Sequence, residues 1–185
     1  MPIPIVILGS GAMACQFAAR LTASGHPLRL LASWPEGIRA IQEHGVRVRD
    51  DAGKERSYPV EITNRPEDCQ GASMALVLVK TWQTERAGEQ LARFLAPSGL
   101  AVTLQNGLGN YQTLSEQLGP ARVLAGITTL GATLLEPGVV RIQEAGEIVL
   151  GDHPQVQGAL DLLLNCGLRC HVEKEMNSLL WGNWC

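Results

Sequence analysis

The apolar run Ile3 to Leu8 leads straight into Gly9-Ser10-Gly11-Ala12-Met13-Ala14, and the chain continues as the alanine-rich stretch Cys15 to Ala23. No other stretch restricts the possible folds as strongly. A β-branched apolar run without polar alternation is the pattern of a strand covered on both faces, as in parallel sheets, and the stretch after the glycines reads as a helix. Between them the spacing is G-x-G-x-x-A, and each small residue has a physical reason. Gly9 allows the tight turn out of the strand. Gly11 has no side chain, so backbone can approach a pyrophosphate closely, and Ala14 lets the helix lie against the strand. The first helical turn leaves N–H groups unpaired and carries partial positive charge, which favours phosphate. The motif with its flanks predicts a dinucleotide site at Gly9, Ser10, Gly11, Ala12 and Met13.

The rest of the chain repeats the same alternation. Pro27–Ala32 reads as a second strand after a helix stop at Gly25, and 37–44 reads as a short helix. Val46–Arg49 and Tyr58–Ile62 alternate around the polar turn Asp50–Lys54, the pattern of an inserted β-hairpin. Met74–Val79 and Leu100–Leu104 read as further buried strands, with an amphipathic helix over Glu85–Leu95 and a loop at Pro97–Gly99 between them. A helix over Tyr111–Leu118, a strand over Val123–Ile127, short antiparallel strands at Val139–Ile142 and Glu147–Leu150, a helix over Val156–Leu164 and an edge strand at Arg169–Val172 complete the reading. The predicted class is α/β: a Rossmann-like, doubly wound, mostly parallel sheet with a few antiparallel strands. Residues 1–172 form the dinucleotide-binding domain, and 173–185 begin a further helix.

Composition narrows the function. A net charge of −3 over 185 residues gives no electrostatic footprint for nucleic acid or for an anionic membrane. The apolar runs are too short to span a bilayer, and the N-terminus lacks the charged and apolar regions of a signal peptide, so a cytoplasmic protein is expected. Cys15, Cys69, Cys166, Cys170 and Cys185 are odd in number, scattered and without a C-x-x-C pair. Together with four unclustered histidines they suggest neither a disulfide framework nor a metal site.

In doubly wound sheets ligands sit beyond the carboxyl ends of the strands. Behind the second strand comes Ala32-Ser33-Trp34, without the acid that would hold ribose hydroxyls or the Arg or Lys that a 2′-phosphate would want; Glu36 and Arg39 are the nearest candidates. Behind the next comes Lys80-Thr-Trp-Gln83-Thr84, whose ammonium either holds an anionic ligand or is solvated. Behind the fourth comes Gln105-Asn106-Gly107, where the Asn either contacts a ligand or shapes a turn.

Taken together, I-V-I-L-G-S-G-A-M, V-K-T-W-Q-T, L-Q-N-G-L-G, G-I-T-T-L-G-A, E-P-G-V-V and L-L-W-G-N-W resemble the ketopantoate reductase (2-dehydropantoate 2-reductase) family along the whole chain. The resemblance implies NADPH-dependent reduction of an α-keto acid to pantoate, a precursor of pantothenate and coenzyme A. NADP(H) is favoured and NAD(H) is not excluded, and the alternatives are an NADP-binding module or fragment with little activity of its own or a related small keto-acid dehydrogenase. It further implies that Gly9 and Gly11 hold the pyrophosphate, that Lys80, Gln83 and Asn106 line the cofactor and substrate cleft, and that Thr128-Thr129 lie beside it.

Two positions depart from the pattern. Ser33 stands where the family commonly has an Arg for the 2′-phosphate, and Asn183 stands where a W-x-K pattern carries the catalytic Lys. The chain stops at Cys185, where the family's all-helical domain would begin, so that domain is expected to be absent. Leu179, Leu180, Trp181 and Trp184 would then need cover from a longer chain or from a second copy in a homodimer.

Overall fold

The computed structural model describes residues 5–105, 109–143 and 145–174. β1 (Ile5–Leu8) is the central strand, and its burial shows why the run lacks alternation. Val6 and Leu8 pack into one apolar layer and Ile7 into the other, with all three at most 1% exposed. After α1 (Ala12–Ala23) the chain forms β2 (Leu28–Leu31), α2 (Pro35–His44), β3 (Val46–Arg49), β4 (Glu55–Tyr58), β5 (Glu61–Thr63) and β6 (Ala72–Val77). It continues through α3 (Thr84–Phe94), β7 (Leu95–Thr103), α4 (Gly109–Leu118), β8 (Val123–Thr128), β9 (Ala132–Glu136), β10 (Val139–Ile142), β11 (Ile148–Gly151), α5 (Val156–Asn165) and β12 (Cys170–Glu173).

The main sheet has the order β12-β11-β8-β7-β6-β1-β2-β5. Its six central and right-hand strands are mutually parallel, while β11 meets β8 antiparallel and carries β12 parallel to itself. The chain winds outward from β1 through β2 to β5, then restarts on the other side at β6. The switch of direction therefore lies between β1 and β6, where a crevice opens at the carboxyl ends of the strands. α3 and α4 cover one face; α1 and α5 pack with the apolar cluster on the other.

Helix ends follow local rules. α1 stops at Ser24 because Gly25 takes φ +78°, the Gly25 N–H bonds to the Thr22 carbonyl, and the His26 N–H bonds to that of Leu21. This paired 5→2 and 6→1 arrangement satisfies two terminal carbonyls, and α5 ends identically through Gly167 and Leu168.

Three parts of the sequence reading are corrected. The hairpin is real, but its second strand is Glu55–Tyr58, and Glu61–Thr63 instead joins the main sheet beside β2. Pro59 and Val60 separate the two, since a proline cannot extend the ladder with an N–H. The hairpin is half of a separate four-stranded sheet, β4-β3-β10-β9, which lies against α1. The strands expected at 139–142 and 147–150 are antiparallel as read, with β9 and β8 as their respective partners in two different sheets. Finally, Pro97–Gly99 lies within β7 rather than in a loop. The register against β6 shifts between Ala72 and Met74, and such an irregularity accommodates a proline. β12 extends to Glu173, so an interdomain helix does not begin there, and residues 175–185 are outside the described residues.

Candidate active site

The glycine turn meets its two requirements in different ways. Gly9 has φ +119°, and its N–H bonds to the Leu31 carbonyl at 2.9 Å, tying the turn to β2. A Cβ at Gly9 would lie 3.3 Å from the Leu78 carbonyl oxygen and 3.6 Å from Ala14 Cβ. Position 9 must therefore be glycine for the fold itself. Gly11 has ordinary extended backbone at the start of α1, and a Cβ there would meet no protein atom within 4 Å. Neither strain nor packing requires glycine at 11. The space left open faces the cleft, where a ligand's phosphates would approach the free N–H groups of α1.

Two clefts flank this turn. The first is walled by Gly9–Gly11, by Ala32, Ser33 and Trp34 after β2, and by Lys80, Gln83, Arg86 and Gln90 from the segment after β6. Trp34 presents a flat apolar wall because its ring lies over Gly37, where a Cβ would be 2.5 Å from Cε3. Ser33 is exposed and Ser10 is buried. The second cleft lies on the opposite side of the turn, between Gly11, Ala12 and Met13, Lys80 and Thr81, Leu104 and Gln105, and Thr128, Leu130 and Ala132. Lys80 lines both.

A hydrogen-bonded chain fixes the loops beneath Lys80. The Gln105 amide donates to the Val79 carbonyl at 2.8 Å and to Thr84 Oγ1 at 2.9 Å, while Thr103 Oγ1 donates to Gln105 Oε1 at 3.0 Å. Thr84 Oγ1 in turn donates to Asn110 Oδ1 at 2.7 Å, and Asn110 Nδ2 reaches Thr81 Oγ1 at 3.4 Å. Thr84, Thr103 and Asn110 are nearly fully buried, so each bond removed leaves a polar atom without water. Above this network the Lys80 N–H bonds to Gln83 Oε1 and the Gln83 N–H to the Lys80 carbonyl, holding the turn that carries the ammonium.

The structure thus brings Gly9, Ser10, Gly11, Ser33, Lys80 and Gln83 into one cleft and Ala12, Met13 and Thr128 into its neighbour. Thr129 does not line either; its hydroxyl accepts the Glu147 N–H and braces β8 against the strand beside it. Glu36 and Arg39, the nearest charges in sequence, lie outside the lining of the first cleft. Asn106 and Asn183 are outside the described residues. Arg86 and Gln90 escaped the sequence reading. They are set within an amphipathic helix, where polar residues read as a solvated face. Gln105 escaped as well, although its place at the end of a buried strand is the usual place for a ligand-proximal residue.

Cys15 is near the start of α1, a position that favours a thiolate, yet burial pushes its pKa up to about 12. Its Sγ faces the Ser10 carbonyl at 3.6 Å, so it packs the turn as a neutral thiol rather than serving as a nucleophile.

A model of the ketopantoate reductase PanE/ApbA family matches residues 5–155. A 2-dehydropantoate 2-reductase of Halobacterium salinarum is 33% identical over 147 residues, covering 80% of this chain and 48% of the relative. One of Streptococcus pyogenes serotype M6 is 26% identical and covers 98% of this chain and 60% of the relative. Among solved structures, a PanE/ApbA family ketopantoate reductase from Ralstonia eutropha JMP134 superposes with a TM-score of 0.87 at 28% identity, over 96% of this chain and 59% of that one. The chain spans about half to three fifths of the length of these relatives.

Proposed function

Because the chain belongs to the PanE/ApbA ketopantoate reductase family, we propose that it is the nucleotide-binding part of an NADPH-dependent oxidoreductase that converts 2-dehydropantoate to pantoate. The observation that carries this reading is the placement of the glycine turn: Gly11 opens the N-terminus of α1 onto two clefts that both include Lys80 in their lining. The residues fit a dinucleotide. Gly9–Gly11 would cradle the pyrophosphate, Ser33 and Trp34 would face the adenosine end, and Met13, Gln105 and Thr128 would face the nicotinamide end.

When bound, the reduced nicotinamide supplies a hydride. The chain's own residues orient the acceptor and balance its charge. Lys80 lies at the junction of the clefts, with Gln83 and the Gln105 network fixing its backbone. Its ammonium is suited to the carboxylate of a keto acid or to the oxygen that gains negative charge as the keto carbon is reduced. Asn183, at the position expected to hold the family's lysine, offers a neutral hydrogen bond and no charge. Loss of one preorganised donor of that kind costs on the order of 100–1000-fold in rate.

A second reading follows from the same residue: a module that binds NADP(H) and turns over little by itself. Titration of the chain with NADPH, followed by loss of nicotinamide absorbance with 2-dehydropantoate, separates the two. Saturable binding with slow turnover that rises in Asn183→Lys supports a reductase with a weakened centre. Binding with no turnover in either supports the module. Failure to bind either NADPH or NADH would sink both.

A further inference from the structure

We propose that Arg86 is the residue by which this chain distinguishes a phosphorylated from an unphosphorylated adenosine ribose, a role performed from α3 rather than from the loop after β2. The inference deepens the reading of the site as a dinucleotide cleft and rests on it. The first cleft is lined by fifteen described residues, among which the charged ones are Lys80 and Arg86 and none is an aspartate or glutamate. A cleft for an unmodified ribose holds its two hydroxyls with a carboxylate acceptor, whereas one for a 2′-phosphate presents cations and excludes carboxylates. The lining is of the second kind, in a protein whose net charge is −3.

The two cations are not equivalent. Lys80 lines both clefts and therefore stands at their junction, beside the glycine turn, where the pyrophosphate common to both nucleotides would lie. Arg86 lines the first cleft, together with Ser33 and Trp34, and does not line the second. Ser33 supplies a hydroxyl and no charge, so a phosphate at the adenosine end has one cation of its own. No carboxylate among the described residues pairs with the Arg86 guanidinium; Glu85 and Glu89 share its helix but do not line the cleft. Nor does the helix benefit from it, since a cation in the first turn of α3 sits at the positive end of the dipole. An arginine fork presents parallel N–H donors to phosphate oxygens, which gives both charge and geometry.

The test is the ratio of NADPH to NADH affinity, measured by fluorescence titration of the full 185-residue chain. In Arg86→Gln the ratio is expected to fall on the order of 10–100-fold, the loss of one charge-assisted contact. Arg86→Lys should retain part of it, and Lys80→Gln should weaken both nucleotides together. A ratio unchanged in Arg86→Gln, or both affinities falling in parallel there, overturns the assignment of Arg86 while leaving the dinucleotide site intact. If the wild-type chain binds neither nucleotide, the reading of the cleft itself fails.

Discussion

The two clefts beside the glycine turn are built by different means. The first is framed by strand ends and a turn whose residues lie close together in sequence or follow directly from neighbouring parallel strands: Gly9–Gly11, Ser33–Trp34, and the segment from Lys80 into α3. The second depends on contacts between distant segments. Gln105 reaches Thr84 across 21 residues, Thr84 reaches Asn110 across 26, and the outer wall comes from Leu130 and Ala132 at the mouth of the second sheet. A pyrophosphate needs only backbone N–H groups and a gap, which a short motif provides. A small acceptor molecule must be oriented to within fractions of an ångström, and that takes side chains braced from several elements.

The comparison is broken most severely at Gly9. Gly9→Val puts a β-branched residue at φ +119° against the Leu78 carbonyl, so the turn and both clefts should be lost together. A stability loss of about 1–3 kcal/mol or more is expected, read as a lowered thermal midpoint with no nucleotide binding.

Gly11→Asp should separate stability from binding. Aspartate is a favourable helix N-cap and its Cβ would meet no protein atom within 4 Å there, so thermal stability should hold or rise. Its carboxylate would occupy the phosphate position, and titration should show nucleotide binding abolished. Retained binding would mean that the pyrophosphate lies elsewhere.

Thr84→Val perturbs the network that braces the second cleft most directly. It removes the donor to Asn110 and the acceptor for Gln105 inside a buried site, at a cost of about 1–3 kcal/mol. NADPH affinity should change less than catalytic turnover or keto-acid binding, because the first cleft contains neither partner. An equal loss at both ends would show that the two clefts are one mechanical unit.

The last effect is absent at neutral pH and appears only as an alkaline pH dependence. Burial raises the Cys15 thiol from its ordinary value near 9 to about 12. A group raised on folding contributes stability that is complete below its unfolded pKa and is lost as pH climbs through the folded value, so the chain should weaken between about pH 9 and 12. Cys69 and Cys170, raised to about 11 by the same cause, steepen that decline. Chemical denaturation across this range should show a shallower alkaline limb for Cys15→Ala, compared as a slope rather than as an absolute stability. An unchanged slope would mean that the turn admits water to the thiol.

Much of this was legible in the residues. β1, the glycine turn and α1 fall where the apolar run and small residues predict, since burial on both faces and a left-handed glycine are local requirements. The Gly25 stop was equally readable. The limits appear at Val60 and Ile62. Their alternation marks a strand but carries no information on which sheet it joins, and the structure assigns it to the edge of the main sheet. Arg86 shows the same limit for function: its helical period is plain, but the face turned to the cleft depends on how α3 lies across β6 and β7.

By itself, then, the sequence determined the parallel core, the dinucleotide-type turn and the strand ends where ligands gather, because these follow from backbone conformation and from a two-residue or 3.6-residue apolar period. Only the tertiary structure decided that 46–58 and 132–142 combine into a second sheet against α1. It also decided that Gln105, Thr84 and Asn110 form one buried network, and that Arg86 of α3 lines the same cleft as Ser33. These are pairings between segments tens of residues apart, selected by which apolar faces and buried polar atoms must be satisfied together, and no local pattern encodes that choice.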